Sequence, residues 1–215
     1  MEEMLEIGGN KMDRPFFEPW IGENYESGGI FGKKILALGD SHYCDSCVGC
    51  GVAGGIRCNV DFTKNTVKEY LGSSYGTKGW PTTYKKFERT LSGNFNTEKS
   101  DAISIWNSIA FYNFLQTANN SYARTAYLDE YYDKSLPYFW TVLDELAPDI
   151  VIVWGWKVWE HLPDDGCVKN VIDNYEYAGY YERNGKKITF MGINHPSSMH
   201  PYGKESEIIN SLLKR

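Results

Sequence analysis

The stretch that most constrains the fold of this chain runs from Lys33 to Cys44 and reads KKILALGDSHYC. Ile35, Leu36, Ala37 and Leu38 form a continuous apolar run. Such a run suits a strand covered on both faces, the situation of a parallel strand with helices above and below it. It breaks at Gly39 and leaves Asp40, Ser41, His42 and Tyr43 where the strand ends. In open α/β sheets, ligands bind in the crevice beyond the carboxyl ends of the strands. Four residues able to ionise, hydrogen-bond or stack are clustered there, so the loop reads as the floor of a site. The alternative is a polar loop with nothing bound to it.

The remaining patterns alternate strands with helices. Thr63–Leu71 and Thr82–Leu91 read as helices, the second stopped by Gly93. Ala102–Ala110 (AISIWNSIA) reads as a strand running into an aromatic and amide cluster at 111–116, and Thr117–Lys134 as a Tyr-rich surface excursion. Leu136–Leu146 has helical spacing, and Asp149–Trp154 (DIVIVW) is the clearest parallel strand. Gly155 turns that strand into a helix over Trp156–Leu162. A hairpin over Tyr175–Ile188 turns at Arg183-Asn184-Gly185, and a strand over Ile188–Ile193 ends in Asn194-His195-Pro196-Ser197-Ser198. An amphipathic helix over Glu205–Leu213 closes the chain. The expected fold is a three-layer α/β/α sandwich with a mostly parallel central sheet, in one domain spanning 1–215.

Charge narrows the partners. The net charge of −6 argues against a protein that holds nucleic acid through its overall field. Between Arg57 and Leu91, however, seven basic residues (Arg57, Lys64, Lys68, Lys78, Lys85, Lys86, Arg89) face three acidic ones, which leaves that segment at +4 and the remainder at −10. A basic patch on an acidic body can still track a phosphate backbone, although a Lys-rich helix surface is equally a solvated one. No apolar run approaches the roughly 20 residues of a membrane span. The acidic N-terminal stretch lacks the pattern of a secretory signal, so the expectation is a cytoplasmic protein, monomeric and without a membrane partner.

Two loops at strand ends therefore carry the chemistry, and at this point the chain resembles the uracil-DNA glycosylase superfamily. Gly39-Asp40-Ser41-His42-Tyr43, Trp106-Asn107-Ser108, Val153-Trp154-Gly155 and His195-Pro196-Ser197-Ser198 look, in that order, like the motifs of its members. These are a Gly-polar-polar-Pro-Tyr/Gly loop, an Asn ending a middle strand, a strand ending in Trp-Gly, and a His-Pro-Ser loop. The resemblance implies a uracil-DNA glycosylase-like fold and removal of uracil, or another modified pyrimidine, flipped out of single-stranded or duplex DNA. Such an activity serves genome repair or attack on modified viral DNA.

By the same resemblance, His195 donates a hydrogen bond to the carbonyl oxygen of the departing base, where negative charge develops. Asn107 reads the hydrogen-bonding edge of the pyrimidine. Tyr43 crowds its C5 position, with Gly39 and Ser41 lining the same loop, and Phe62 stacks on its face. Met199 fills the gap left in the base stack, with Ser197 and Ser198 on the DNA beside it; Lys85 and Lys86, from the basic segment and not from the resemblance, are the further DNA-binding candidates. The first loop departs from the best-known branch, which carries its water-activating Asp at the position of Ser41 and Pro at that of His42. Here the carboxylate is Asp40, where the iron–sulfur branch has Glu. Asp40 can stabilise the oxocarbenium-like sugar or orient water, and His42, which titrates in a useful range, is the other candidate base.

Cys44, Cys47, Cys50 and Cys58, spaced C-x2-C-x2-C-x7-C, form a second constellation. Four thiolates at this spacing suit structural zinc ahead of an iron–sulfur cluster, with four reduced thiols as the alternative and no metal needed for catalysis. Two other functions compete. Gly39-Asp40-Ser41 with His195-Pro196 also looks like a Gly-Asp-Ser type serine esterase, with Ser41 as nucleophile and His195 as base. Gly192 stands three residues before His195, where that family has Asp. The other is a catalytically silent nucleic-acid-binding module of the same fold.

Overall fold

A computed structural model describes residues 14–43, 59–119, 129–169, 171–173, 175–198 and 202–214. Its centre is the predicted strand, β2 (Ile35–Gly39), buried along its whole length. On one side β2 pairs in parallel with β4 (Ile109–Asn113), and on the other with β6 (Ile150–Trp154). β6 in turn pairs in parallel with β9 (Lys186–Ile193). Antiparallel strands close both edges: β1 (Trp20–Ile21) against β4, and β8 (Ala178–Arg183) followed by β7 (Cys167–Lys169) against β9. The sheet order is therefore β1-β4-β2-β6-β9-β8-β7. Three strand pairings of this sheet are parallel and three antiparallel. Its four central strands are parallel, but the sheet is mixed. A separate pair, β3 (His42–Tyr43) with β5 (Ala118–Asn119), lies beyond the end of β2.

Helices cover both faces, because side chains alternate along the central strands. Ile35, Ala37, Ile150 and Ile152 meet α1 (Phe62–Leu71), α2 (Pro81–Ser92), α3 (Lys99–Trp106) and α6 (Tyr202–Leu213) through Val67, Phe87, Ile105 and Ile209. Leu36, Leu38, Val151 and Val153 meet α4 (Asp129–Leu146) and α5 (Trp156–Glu160) through Phe139, Leu143 and Val158. Each layer excludes water from one side of the sheet, which supplies most of the driving force for a strand that is apolar on both faces. No helix among the described residues is long and apolar enough to cross a membrane.

Two segments differ from the sequence reading. The stretch read as one strand over Ala102–Ala110 divides into α3 and β4. Ala102, Ile105 and Trp106 are buried at helical spacing while Ile103 is exposed, and Asp101 accepts the Glu98 backbone N–H at 2.8 Å, capping the first turn. The Tyr-rich excursion gives way at Asp129 to α4, whose first turns bury Tyr132. The hairpin turn forms where expected, with Asn184 and Gly185 both at positive φ (51° and 74°), as a two-residue turn matched to strand twist requires.

Candidate functional site

The strand register brings the carboxyl ends of the four parallel strands level. Gly39 pairs with Asn113, Leu38 with Val153, and Trp154 with Ile193. Asp40, Gly155 and Asn194 are therefore next-in-line residues on neighbouring strands. The chain passes from β2 to β4 on one side and then crosses back to β6 on the other, and that reversal of strand order is where open α/β sheets hold ligands. Asp40 and His195 follow β2 and β9, strands two apart and therefore about 10 Å from each other within the sheet.

Asp40 is half-buried, and its Oδ1 accepts the hydroxyl of Tyr132 at 2.5 Å. Burial pushes its carboxyl above the ordinary range, opposed by the Tyr132 bond and by the charges of Lys157 and His161. Gly39 carries no side chain for a local reason. A Cβ there would fall 2.2 Å from the Asn113 Oδ1 and 3.2 Å from the Phe111 ring.

His42, expected as a possible base, has a different environment. It is buried, stacked on Phe62 at 4.4 Å between ring centres and edge-on to Phe17 at 4.9 Å. Its Nδ1 lies 3.1 Å from the Asn113 Nδ2, and its Nε2 lies 2.9 Å from the Thr63 hydroxyl. An amide N–H can only donate, so Nδ1 accepts it and the neutral ring proton sits on Nε2, shared with Thr63. Burial pushes the imidazole down to about 3. His42 is thus a neutral pillar under the loop, with Phe62 committed to it on one face. Tyr43 projects outward and is exposed.

At the far strand, His195 packs edge-on against Trp154 at 6.2 Å. Its Nδ1 accepts the Ser197 N–H at 3.1 Å and lies 2.7 Å from the Ser197 hydroxyl. With Nδ1 as acceptor, the neutral ring carries its proton on Nε2, as a donor. Ser198 turns back onto the His195 carbonyl through N–H and hydroxyl bonds of 2.8 and 2.6 Å. Lys86 of α2 donates to the Ser198 carbonyl at 2.9 Å, and Glu205 of α6 accepts the Asn194 N–H at 2.8 Å. The loop is therefore held from two helices. Lys85 lies over the Tyr75 ring at 4.8 Å. Gly155 (φ 90°, ψ 153°) completes the edge, where a Cβ would press on the His195 Cβ at 3.2 Å.

Asn107 is not at this edge. It follows α3 and precedes β4, so at least the length of that strand, about 13 Å, separates it from Asn113. Its carbonyl accepts the Asn24 N–H at 2.7 Å. The amide that ends a middle strand is instead Asn113, buried beside Gly39. Ser41, the nucleophile expected of an esterase, has a buried hydroxyl with no hydrogen-bond partner among the described residues, so no Ser41–His195 pair forms. Thr117 Oγ1 and Trp154 Nε1, near the same edge, are also buried and without a partner among the described residues. Such atoms are uncommon in a finished core. Met199, Cys44, Cys47, Cys50 and Cys58 lie outside the described residues. Among the described residues, no three His, Cys, Asp or Glu side chains are grouped to hold a metal.

Sequence reasoning did not single out Asn113, Tyr132, Lys157 or His161. Asn113 was legible as the polar end of the apolar run Ile109–Tyr112. Tyr132 carried no signal, because one Tyr among several in a polar stretch has nothing to distinguish it. No protein-family model matches the sequence, and no curated protein matches it.

Proposed function

We propose that the protein is a DNA glycosylase that hydrolyses the N-glycosidic bond of uracil or another modified pyrimidine flipped out of DNA. The observation that supports this reading is that Asp40 and His195, one carboxylate and one imidazole N–H donor, follow the carboxyl ends of β2 and β9 on either side of Gly155, with His195 one residue beyond the level of Asp40. Cleaving the bond leaves positive charge on the sugar and negative charge on the base. Asp40 is the anion for the first, either stabilising the oxocarbenium-like sugar or orienting water, and the Nε2–H of His195 is the donor for the second. Asn113 takes the place proposed for Asn107 as the amide nearest the base edge, and Tyr43 supplies an exposed ring at the same loop. Ser197, Ser198, Lys85 and Lys86 contact the DNA backbone. For the cysteine constellation we propose structural zinc on Cys44, Cys47, Cys50 and Cys58, in the connection between β3 and α1, for which elemental analysis of the full chain is the test.

The experiment is a panel of single-stranded and duplex oligonucleotides, each carrying uracil or a modified cytosine, incubated with protein and then treated with alkali to break abasic sites. Strand scission by the wild type on at least one member is expected. Removing one donor aimed at a developing oxyanion costs about 100- to 1000-fold, so His195→Ala and Asp40→Asn are each expected to fall by that order. Binding to the panel without scission would replace this reading with a silent binding module. Ester hydrolysis lost in Ser41→Ala would replace it with an esterase.

A further inference from the structure

Behind Asp40 stands a group of side chains that the proposed reaction does not by itself require. Tyr132, on α4, is 1% exposed and reaches across 92 residues of sequence to donate its hydroxyl to Asp40 Oδ1. Its ring lies flat on His161, with centres 3.9 Å apart and planes at 20°. The Lys157 ammonium sits 5.2 Å from the centre of the same ring. His161 is itself fixed, with Nδ1 2.8 Å from the Lys157 carbonyl and Nε2 3.1 Å from Asp129 Oδ1. Lys157 of α5 and His161, the residue that ends it, therefore bracket the ring whose hydroxyl grips Asp40.

We propose that Tyr132 is a positioning residue that clamps Asp40 Oδ1, so that the carboxylate presents Oδ2 to the substrate as an anion, with His161 and Lys157 holding the tyrosine ring in place. Among the described residues, Asp40 Oδ2 takes no hydrogen bond, which leaves it as the working oxygen. A phenol donor aimed at one oxygen fixes the plane of the carboxylate and favours its charged form. The donor does not lose its own proton, because burial and the neighbouring Asp40 charge push the Tyr132 hydroxyl well above its ordinary range. Among the described residues, the titratable and charged groups around Asp40 and the tyrosine that holds it are Tyr43 from β3, Asp129 and Tyr132 from α4, Lys157 from α5 and His161 just after it. The cations and the phenol favour its charge against the cost of burial. The catalytic meaning of this clamp rests on the glycosylase reading, while the clamp itself does not.

Tyr132→Phe keeps the ring on His161 and removes only the hydroxyl. Carbon-13 NMR of the Asp40 carboxyl in the full chain, followed from pH 3 to 8, is expected to show the variant titrating at higher pH than the wild type. In single-turnover excision, the variant is expected to lose about 10- to 100-fold in rate, since a misoriented group can cost that much. Its DNA affinity should stay within about twofold, and its acid limb should move towards neutrality. His161→Asn, which removes the stacked ring, is expected to shift both readouts in the same direction by less. An Asp40 titration that is unchanged in Tyr132→Phe overturns the proposal, as does a loss of rate equal at every pH. If the wild type excises nothing, the glycosylase reading fails, and the NMR titration still decides the clamp.

Discussion

Glu88 is fully buried inside α2, where its Oε1 accepts the Tyr70 hydroxyl at 2.7 Å and the Trp106 indole N–H at 2.9 Å. Burial outweighs those bonds and pushes the carboxyl from 4.5 up to about 7. A carboxyl that holds its proton more tightly folded than unfolded stabilises the fold below the unfolded value and loses that contribution as pH rises through the folded one. The window is on the order of 3 kcal/mol wide. Glu88→Gln keeps an oxygen for both donors and removes the titration. Its melting temperature relative to wild type should therefore climb between pH 5 and pH 8, read by thermal unfolding across that range. An amide left without a partner adds a constant offset, so the slope is the test, and a flat difference would sink the argument. His42 acts in the opposite sense. Its depressed imidazole makes a contribution present above 6.5 that is lost as pH falls towards 3, so falling pH and pH rising to neutrality weaken this fold at different residues.

At the scale of elements, the site depends on how β6 hands over to α5. Gly155 sits at φ 90° and ψ 153°, a conformation that costs a non-glycine residue about 1–3 kcal/mol. Gly155→Ala should lose about that much stability, and excision should fall further than stability explains, because the new methyl presses on His195. Gly203→Ala, in the exposed first turn of α6 with nothing near its Cβ, is the control and should be neutral or slightly stabilising. Chemical denaturation with parallel excision rates checks both, and equal behaviour of the two variants would refute the contact. The same handover shows what could be read in advance. β2, β6, the Asn184-Gly185 turn and the helix stopped by Gly93 were legible because each rests on local pattern. The division at Asn107 was not, since Ala102–Ala110 satisfies both an alternating and a helical reading until the Asp101 cap decides it. β1 and β7, two and three residues long, are too short to carry a period, and Tyr132 gains its role only when α4 folds over the end of β2.

At the scale of the whole molecule, the proposed reaction requires a chain of net charge −6 to approach a polyanion. The basic segment 57–91 does not act as one field. Lys64 is paired with Glu18 and Asp61, and Lys85 rests on Tyr75. Lys86 is turned onto the Ser198 carbonyl, which places a cation beside the loop that carries His195. Binding that enters through a few such cations releases few counterions. Each phosphate neutralised contributes roughly −0.7 to −0.9 to the slope of log affinity against log salt, so two or three contacts give about −2. Anisotropy titrations of a single-stranded oligonucleotide between 50 and 200 mM salt, a working range chosen to resolve roughly that slope, should return a value near it. Lys86→Gln should make the slope shallower by nearly one phosphate contact. A wild-type slope steeper than about −5 would require a broad basic surface that the folded charge distribution does not offer. In that case the approach of DNA would be governed by the long-range field of the molecule and not by the local grip of the loops around Asp40 and His195.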